Sequence, residues 1–151
     1  MTLITNLCPW PNGTVKRTEW NTQATQDKTT GLWTYTLEAN QQTGTCPIFA
    51  TTVPLGNTYV AVVSTSTPMR NVKIGRDNGT TGTNLTATST LLIAQIDLAI
   101  NSGRQQQIYL WLYAGATITP KKVALYTQSD WTLLQKTNKI NWFDKDLVPL
   151  V

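Results

Sequence analysis

Residues 107–115 run Gln-Ile-Tyr-Leu-Trp-Leu-Tyr-Ala-Gly, and the alternation in this stretch decides the fold of the chain. Successive side chains on a β-strand point to opposite faces of the sheet. One face therefore carries the aliphatic residues Ile108, Leu110, Leu112 and Ala114. The other face carries Tyr109, Trp111 and Tyr113. A strand that is apolar on both faces is typical of the centre of a sheet, with a second sheet covering its aliphatic side.

Short runs of the same kind occur along the chain between stretches rich in Gly, Pro, Asn and Thr. Strands are predicted at 3–7, 32–39, 48–53, 59–64, around Val72 and Ile74, and at 123–126, while 91–100 is ambiguous between strand and helix. Loops are predicted at 21–30, 40–45 and 77–88. Some eight or nine short strands with almost no helix signal are typical of an antiparallel sandwich. We predict an all-β fold, an antiparallel jelly-roll sandwich of two sheets over residues 1–135, with a short C-terminal arm at 136–151.

The composition narrows the classes of function. With 151 residues the chain is long enough for one domain with a sizeable core. Arg70, Lys73 and Arg76 are the nearest approach to a basic cluster in a chain of net charge +4, which is too little for a nucleic-acid-binding surface. No apolar run approaches the roughly 20 residues of a membrane span, and the first residues lack a signal-peptide pattern. We therefore expect a protein made in a cytoplasm that binds no nucleic acid and does not insert into a membrane.

The two cysteines, Cys8 and Cys46, show no metal-binding spacing. A cytoplasmic origin favours two free, partly buried thiols over a disulfide. No histidine is present, so the commonest general base and metal ligand is absent. We expect neither a metal site nor a cofactor.

Catalysis would have to depend on carboxylates. A glycosidase needs two of them at a defined separation, and Glu38 with Asp97 is a candidate pair, although nothing in the sequence brings the two together. Solvated surface carboxylates are the favoured interpretation. We expect a protein without enzymatic activity and assign no catalytic residues.

The aromatic residues are the remaining candidates for a binding function. Many of the six Trp and five Tyr lie on predicted strands or near turns. Tyr109, Trp111 and Tyr113 repeat every ~7 Å along their strand, a spacing on which neighbouring sugar rings could stack. The alternatives are packing on the second face of a central strand or an oligomer contact. Trp33 and Tyr35 are expected in the core because Leu37 shares their face. Three tryptophans near turns, Trp10, Trp20 and Trp131, are expected to plug the ends of the sandwich.

Several segments together resemble the jelly-roll modules of bacteriophage minor tail proteins, which are themselves similar to carbohydrate-binding modules. The resemblance is carried, in the family's order, by the segments 6–11 (Asn-Leu-Cys-Pro-Trp-Pro), 56–61 (Gly-Asn-Thr-Tyr-Val-Ala), 122–126 (Lys-Val-Ala-Leu-Tyr) and 142–144 (Trp-Phe-Asp). It implies a virion accessory protein of the tail, baseplate or head whose jelly roll binds a host-surface glycan through Tyr109, Trp111 and Tyr113. The family's structural calcium ion has no support in this sequence, because the glutamate of a family motif is absent.

Two other functions stay open. One is a purely structural tail or capsid-decoration protein whose aromatic residues form oligomer contacts. The other is a carbohydrate-binding module separated from a glycosidase, against which the missing signal peptide argues. A jelly roll does not distinguish among these, because one fold serves many functions.

The C-terminal arm is expected to contact a partner. Large apolar side chains are costly to leave in water, since burying each contributes about 1.5–3 kcal/mol, so the arm should pack on its own sandwich or on another molecule. We expect contact with another subunit or another virion protein through Trp142, Phe143, Leu147 and Leu150, in a homo-oligomer on the particle.

Overall fold

A computed structural model describes residues 3–8, 16, 20–49, 57–76, 79–98, 108–144 and 146–150, without the side chains of 47–49. The described residues form eleven strands and one helix. In chain order these are β1 (Ile4–Thr5), β2 (Thr22–Gln26), β3 (Trp33–Leu37), β4 (Thr43–Phe49), β5 (Thr58–Thr65), β6 (Arg70–Arg76), β7 (Thr83–Ala87), β8 (Leu91–Asp97), β9 (Ile108–Ile118), β10 (Pro120–Thr127), α1 (Gln128–Thr137) and β11 (Asp146–Leu147).

The strand β9 is the centre of a five-stranded sheet and pairs along both edges. Strand β6 lies on one edge, while β4 and β3 follow one another along the other edge. Strand β2 then pairs with β3 at the border of the sheet. All these pairs are antiparallel, so the prediction that 107–115 lies in a central strand is confirmed.

The second sheet has the order β10-β5-β8-β7. The backbone N–H of Leu7 donates to the carbonyl of Leu125 (2.7 Å), so the N-terminal segment lies beside β10, the last long strand. The connections from β4 to β5, β5 to β6, β6 to β7, β8 to β9 and β9 to β10 each pass from one sheet to the other. The chain thus alternates between two antiparallel sheets that pack face to face. The predicted all-β antiparallel sandwich is confirmed.

The main core fills the space between the two sheets. The five-stranded sheet contributes the aliphatic face of β9, and the other sheet contributes alternate residues of β5, β8 and β10. The largest members that are fully buried are Tyr35, Tyr59, Ile74, Ile96, Leu98, Ile108 and Leu110. Cys8 and Cys46 are buried in the same core as free thiols.

A second core covers the outer face of the β10-β5-β8 sheet. It contains Ile4, Val60, Val62, Ile93, Ala124, Tyr126, Leu134 and Phe143. Helix α1 and the segment that follows it supply the covering side chains. Strand β5 is therefore buried on both faces, because Tyr59, Ala61 and Val63 point into the main core while Val60 and Val62 point into the second.

Two segments predicted as loops are strands. Residues 22–26 and 83–87 form β2 and β7, both at the borders of their sheets. Their sequences, Thr-Gln-Ala-Thr-Gln and Thr-Asn-Leu-Thr-Ala, are almost entirely polar because border strands are largely exposed. Hydrophobic alternation, which identifies half-buried strands, cannot detect them. Ala114 also differs from the prediction: it lies exposed next to Gly115, whose φ of 79° marks an irregularity in β9.

The helix α1 was not predicted, and it crosses the boundary placed between residues 135 and 136. Thr127 caps it, with the Thr127 hydroxyl accepting from the N–H of Asp130 (3.2 Å). The carboxylate of Asp130 also accepts from the N–H of Thr5 (3.1 Å), which ties the helix to β1. The pattern Thr-x-x-Asp at 127–130 is the sequence signal that identifies such a helix start.

Asn6 joins three separate parts of the chain. Its Oδ1 accepts from the backbone N–H groups of Cys8 and Leu125, both at 3.0 Å. Its Nδ2 donates to the carbonyls of Phe143 (3.0 Å) and Val123 (3.4 Å). One amide side chain thus holds together the N-terminal segment, β10 and the C-terminal segment.

Replacing Asn6 with alanine should strongly destabilise the fold. Asn6→Ala leaves two partly buried N–H groups without their acceptor, and each such group costs about 1–3 kcal/mol. We expect the free energy of unfolding in urea to fall by about 2–4 kcal/mol. Asn84→Ala, at an exposed position on β7, is the matched control and should change it by less than about 0.5 kcal/mol. Equal effects of the two substitutions would contradict the role given to Asn6.

The buried hydroxyl of Tyr126 should make the fold less stable in alkali. Burial raises its pKa above the ordinary value of 10.0, and the hydroxyl donates to the carbonyl of Asn141 (2.9 Å). Above about pH 10 the unfolded chain ionises at this tyrosine while the folded chain keeps its proton, so stability falls as the pH rises. Urea titrations between pH 8 and 11 should show a shallower fall for Tyr126→Phe. A slope equal to that of the wild type would contradict this origin.

Candidate functional site

The aromatic row on β9 faces away from the main core. Tyr109, Trp111 and Tyr113 are each half-buried and lie on the side of β9 opposite the buried Ile108, Leu110 and Leu112. None of the three belongs to either hydrophobic core of the described residues. Among the described residues these rings therefore pack in neither core, and their role as a ligand platform or as a contact with another molecule stays a prediction.

Trp111 is held in one orientation by the neighbouring strand. Its indole Nε1 donates to the carbonyl of Arg76 (2.9 Å), at the end of β6. A Cβ on Gly75 would lie 3.1 Å from Cδ1 of Trp111 and 2.8 Å from the carbonyl oxygen of Thr80. The ring therefore occupies space that only a glycine on β6 leaves open. With its N–H already bonded, the indole presents an apolar surface.

The neighbouring rings form a stepped surface rather than a flat one. The centroids of Tyr109 and Trp111 are 6.2 Å apart, with an angle of 48° between the ring planes. The ammonium group of Lys73, on β6, lies 5.7 Å from the centroid of Tyr113. A cation at this distance from an aromatic face is attracted to it by the ring quadrupole. The row is thus bordered by a positive charge at one end.

Trp20 adds a further tryptophan to this surface. It forms an isolated antiparallel bridge with Thr45, and Thr45 is the cross-strand partner of Trp111. Lys73 is the partner of Trp111 on the opposite edge. Cross-strand partners point to the same face of a sheet, so these four residues lie in one line across it. Trp20 is 54% exposed.

The prediction that Trp20 plugs an end of the sandwich is wrong, since an exposed side chain on a sheet face closes nothing. Trp131, in contrast, packs on Tyr126 with centroids 5.9 Å apart and borders the second core. Trp10 lies outside the described residues. Sequence reasoning missed Trp20 because its bridge to β4 spans 25 positions and leaves no local pattern. We call the surface formed by Trp20, Lys73, Tyr109, Trp111 and Tyr113 the aromatic face.

The core prediction for the third strand is confirmed. Tyr35 is completely buried in the main core. Trp33 and Leu37 are partly buried and pack against the same core. These rings are therefore structural, and the opposite face of β3 carries only Thr34 and Thr36.

The arm residues lie on the chain's own sandwich. Phe143 is 8% exposed within the second core, and the indole of Trp142 donates to the carbonyl of Val123 (3.0 Å). Leu147 pairs with Ile4 in the small β1-β11 sheet. Leu150 is 61% exposed. Of the four residues predicted to contact a partner, three have side chains or strand pairing held within the same molecule. The side chain of Leu150 is exposed, and its backbone N–H donates to Asn138 Oδ1 (3.3 Å). The partner contact itself stays a prediction.

The two candidate catalytic carboxylates lie on different sheets. Glu38 follows β3 and Asp97 ends β8, and both are exposed. Within the described ranges, no group of three or more Cys, Asp or Glu side chains is placed to hold a metal ion. In the same ranges, no helix has the length and apolarity that crossing a membrane requires.

A cleft of about 600 Å³ opens at the end of the sandwich where β9 finishes. It is lined by Asp27, Thr30, Leu32, Thr34, Ser66, Thr67, Thr119 and Lys121. Two of these hydroxyls already bond each other, Thr34 Oγ1 to Thr119 Oγ1 at 2.7 Å. Asp27 Oδ1 accepts from the N–H of Thr29 (2.8 Å) and so shapes the turn after β2. A second cleft of about 360 Å³ lies between Arg76, the 80–83 segment and the end of β8.

Comparison of the chain with protein-family models, with curated proteins and with solved structures finds no match. Function therefore has to be inferred from the residues and their geometry.

The close fit of Gly75 beneath Trp111 can be tested directly. Gly75→Ala should displace the indole and break its bond to Arg76, and overpacking of this kind costs about 1–3 kcal/mol. We expect the indole N–H resonance of Trp111, assigned with Trp111→Phe, to shift in a ¹⁵N–¹H NMR spectrum. Gly44→Ala is the control, because its Cβ would meet Thr22 Cγ2 at 2.7 Å, on the opposite face of the sheet. Gly44→Ala should destabilise the fold without shifting the Trp111 resonance. An unshifted resonance in Gly75→Ala would contradict the contact between Gly75 and Trp111.

Proposed function

We propose that this protein is a non-catalytic carbohydrate-binding module of a bacteriophage virion, and that its aromatic face binds a glycan of the host surface. One observation carries the proposal. Three aromatic residues of the central strand lie outside both cores, while the outer face of the opposite sheet is covered by α1 and the C-terminal segment. Aromatic rings left half-exposed on a rigid sheet are suited to stacking against the apolar faces of sugar rings.

The geometry of Trp111 supports a binding role. Its indole is already oriented by Arg76 and by the space above Gly75. A side chain that is ordered before binding loses little conformational entropy on binding, which raises affinity. Trp20, which lies in line with Trp111 across the sheet, extends the surface sideways. A ligand that spans both tryptophans would cover β9, β4 and the segment that carries Trp20.

The virion part of the proposal is supported by the resemblance of the sequence to phage minor tail modules. Labelling of purified phage particles with an antibody against the protein tests this part separately from glycan binding.

A matched pair of tryptophan substitutions tests the binding surface. Trp111 and Trp131 are both half-buried, but only Trp111 lies on the aromatic face. Trp111→Ala should reduce binding on a glycan array or to host cells by at least about tenfold, the effect of losing about 1.4 kcal/mol. Trp131→Ala should lower the melting temperature through the second core and leave binding by the folded protein unchanged.

Trp20→Ala is the cleanest variant, since this exposed side chain contributes little to folding. It should weaken glycan binding at an unchanged melting temperature. Light scattering on the same samples shows whether the surface is instead a contact between subunits. Dissociation of an oligomer in Trp20→Ala and Trp111→Ala, with glycan binding unaltered, would sink the proposal in favour of a subunit interface.

A further inference from the structure

The sheet that carries the aromatic face has an unusual charge distribution. Its five strands, β2, β3, β4, β6 and β9, contain three cationic residues and no aspartate or glutamate. The cations are Arg70, Lys73 and Arg76, all on β6. All eight acidic residues of the chain lie outside these five strands. No acidic side chain therefore lies within these five strands, although Asp27 and Glu38 directly follow β2 and β3.

Two of these cations lie on the same side as the aromatic rings. Lys73 is the cross-strand partner of Trp111, and Arg70 is the partner of Thr117, further along β9. Both cations are exposed, and neither forms an ion pair with a carboxylate of the described residues. The pairing of β6 with β9 is irregular between Arg70 and Val72, where Asn71 has a φ of 50°, and this irregularity lets Arg70 and Lys73 share one face. Lys73 thus lies beside the aromatic row, and Arg70 lies beyond its Tyr113 end.

The two cations and the aromatic rings are suited to different chemical groups of one ligand. Half-exposed aromatic rings favour a sugar ring with an apolar face, as in the proposed function on which this inference rests. A neutral sugar, however, would bring no negative charge to Lys73 and Arg70. Anionic groups placed beside the sugar rings would form charge-assisted contacts with both, and such hydrogen bonds are roughly twice as strong as neutral ones.

Single-stranded nucleic acid also combines aromatic stacking with a positive groove, but the charge here is too small for it. Nucleic-acid-binding surfaces carry clusters or stripes of Lys and Arg, whereas the described residues on the outer side of this sheet supply only Lys73 and Arg70. The Thr-rich remainder of the surface, which includes Thr34, Thr36 and Thr117, offers hydroxyl groups rather than more cations.

We infer that the aromatic face binds an acidic polysaccharide, with sugar rings packed on Trp111 and its neighbours and with the carboxylate or phosphate groups of the polymer placed on Lys73 and Arg70. Electrostatic attraction then accelerates encounter with a negatively charged cell surface. Because both cations are exposed, added salt screens that attraction.

The test measures binding of the full-length protein to an array of defined acidic and neutral polysaccharides, with oligodeoxythymidine as a third ligand. We expect binding to acidic polymers that weakens between 50 and 500 mM NaCl, about the range over which screening becomes strong. The variant Arg70→Gln/Lys73→Gln should bind them at least about tenfold more weakly. The control Lys136→Gln/Lys139→Gln removes the same charge from two exposed positions at the end of α1 and should bind like the wild type.

Each other outcome has a distinct meaning. Binding to neutral polysaccharides, unaffected by the Arg70/Lys73 substitutions, overturns the inference and leaves the proposed function standing. Binding to no polysaccharide of either kind overturns both. Tighter binding of oligodeoxythymidine than of any acidic polysaccharide, lost in the Arg70/Lys73 variant, overturns both in favour of a nucleic-acid ligand.

Discussion

The constraint on which the rest of the structure depends is that β5 is apolar on both faces. Its alternate residues are nearly all Val, Ala or Tyr, so each face must be removed from water, at about 25 cal/mol per Å² of apolar surface. The five-stranded sheet covers one face. The other is covered by α1 and by Phe143 of the C-terminal segment, which Asn6 and Asp130 tie to the N-terminal strand. Helix α1 and the C-terminal segment therefore pack on the β10-β5-β8 sheet. They do not cover the outer face of the five-stranded sheet.

That asymmetry gives the two outer faces different chemistry. One is an aliphatic face under a helix, and the other carries rows of threonine beside aromatic rings and cations. The exposed rings lie on a central strand paired along both edges, not on a loop, so they gain the rigidity of the sheet. Trp111 is fixed further by its bond to Arg76. A binding surface built in this way depends on backbone pairing for its shape and needs no ordering of a flexible segment when a ligand arrives.

The sequence predicted those elements whose signal is local. Alternation located β3, β5, β6, β9 and β10 and identified Tyr35 as core, because a half-buried strand has a period of two. It missed β2 and β7, which are polar border strands, and it missed α1, whose signal is a cap at Thr127 rather than a strong apolar stripe. The aromatic row was predicted from the same alternation, but its position outside both cores was not, since that depends on which sheet α1 covers. Trp20 was missed because its place in line with Trp111 results from pairing between distant segments.

Charge bears on whether the aromatic face is a ligand platform or a contact between identical subunits. A two-fold symmetric interface places the same patch on both sides of the contact. Here it would bring Lys73 and Arg70 against their own copies, on a sheet whose strands contain no carboxylate to pair with them. Burying unpaired like charges costs several kcal/mol for each ion, a cost that a partner with its own negative charge relieves. The composition of the sheet therefore argues against self-association of two copies through this surface.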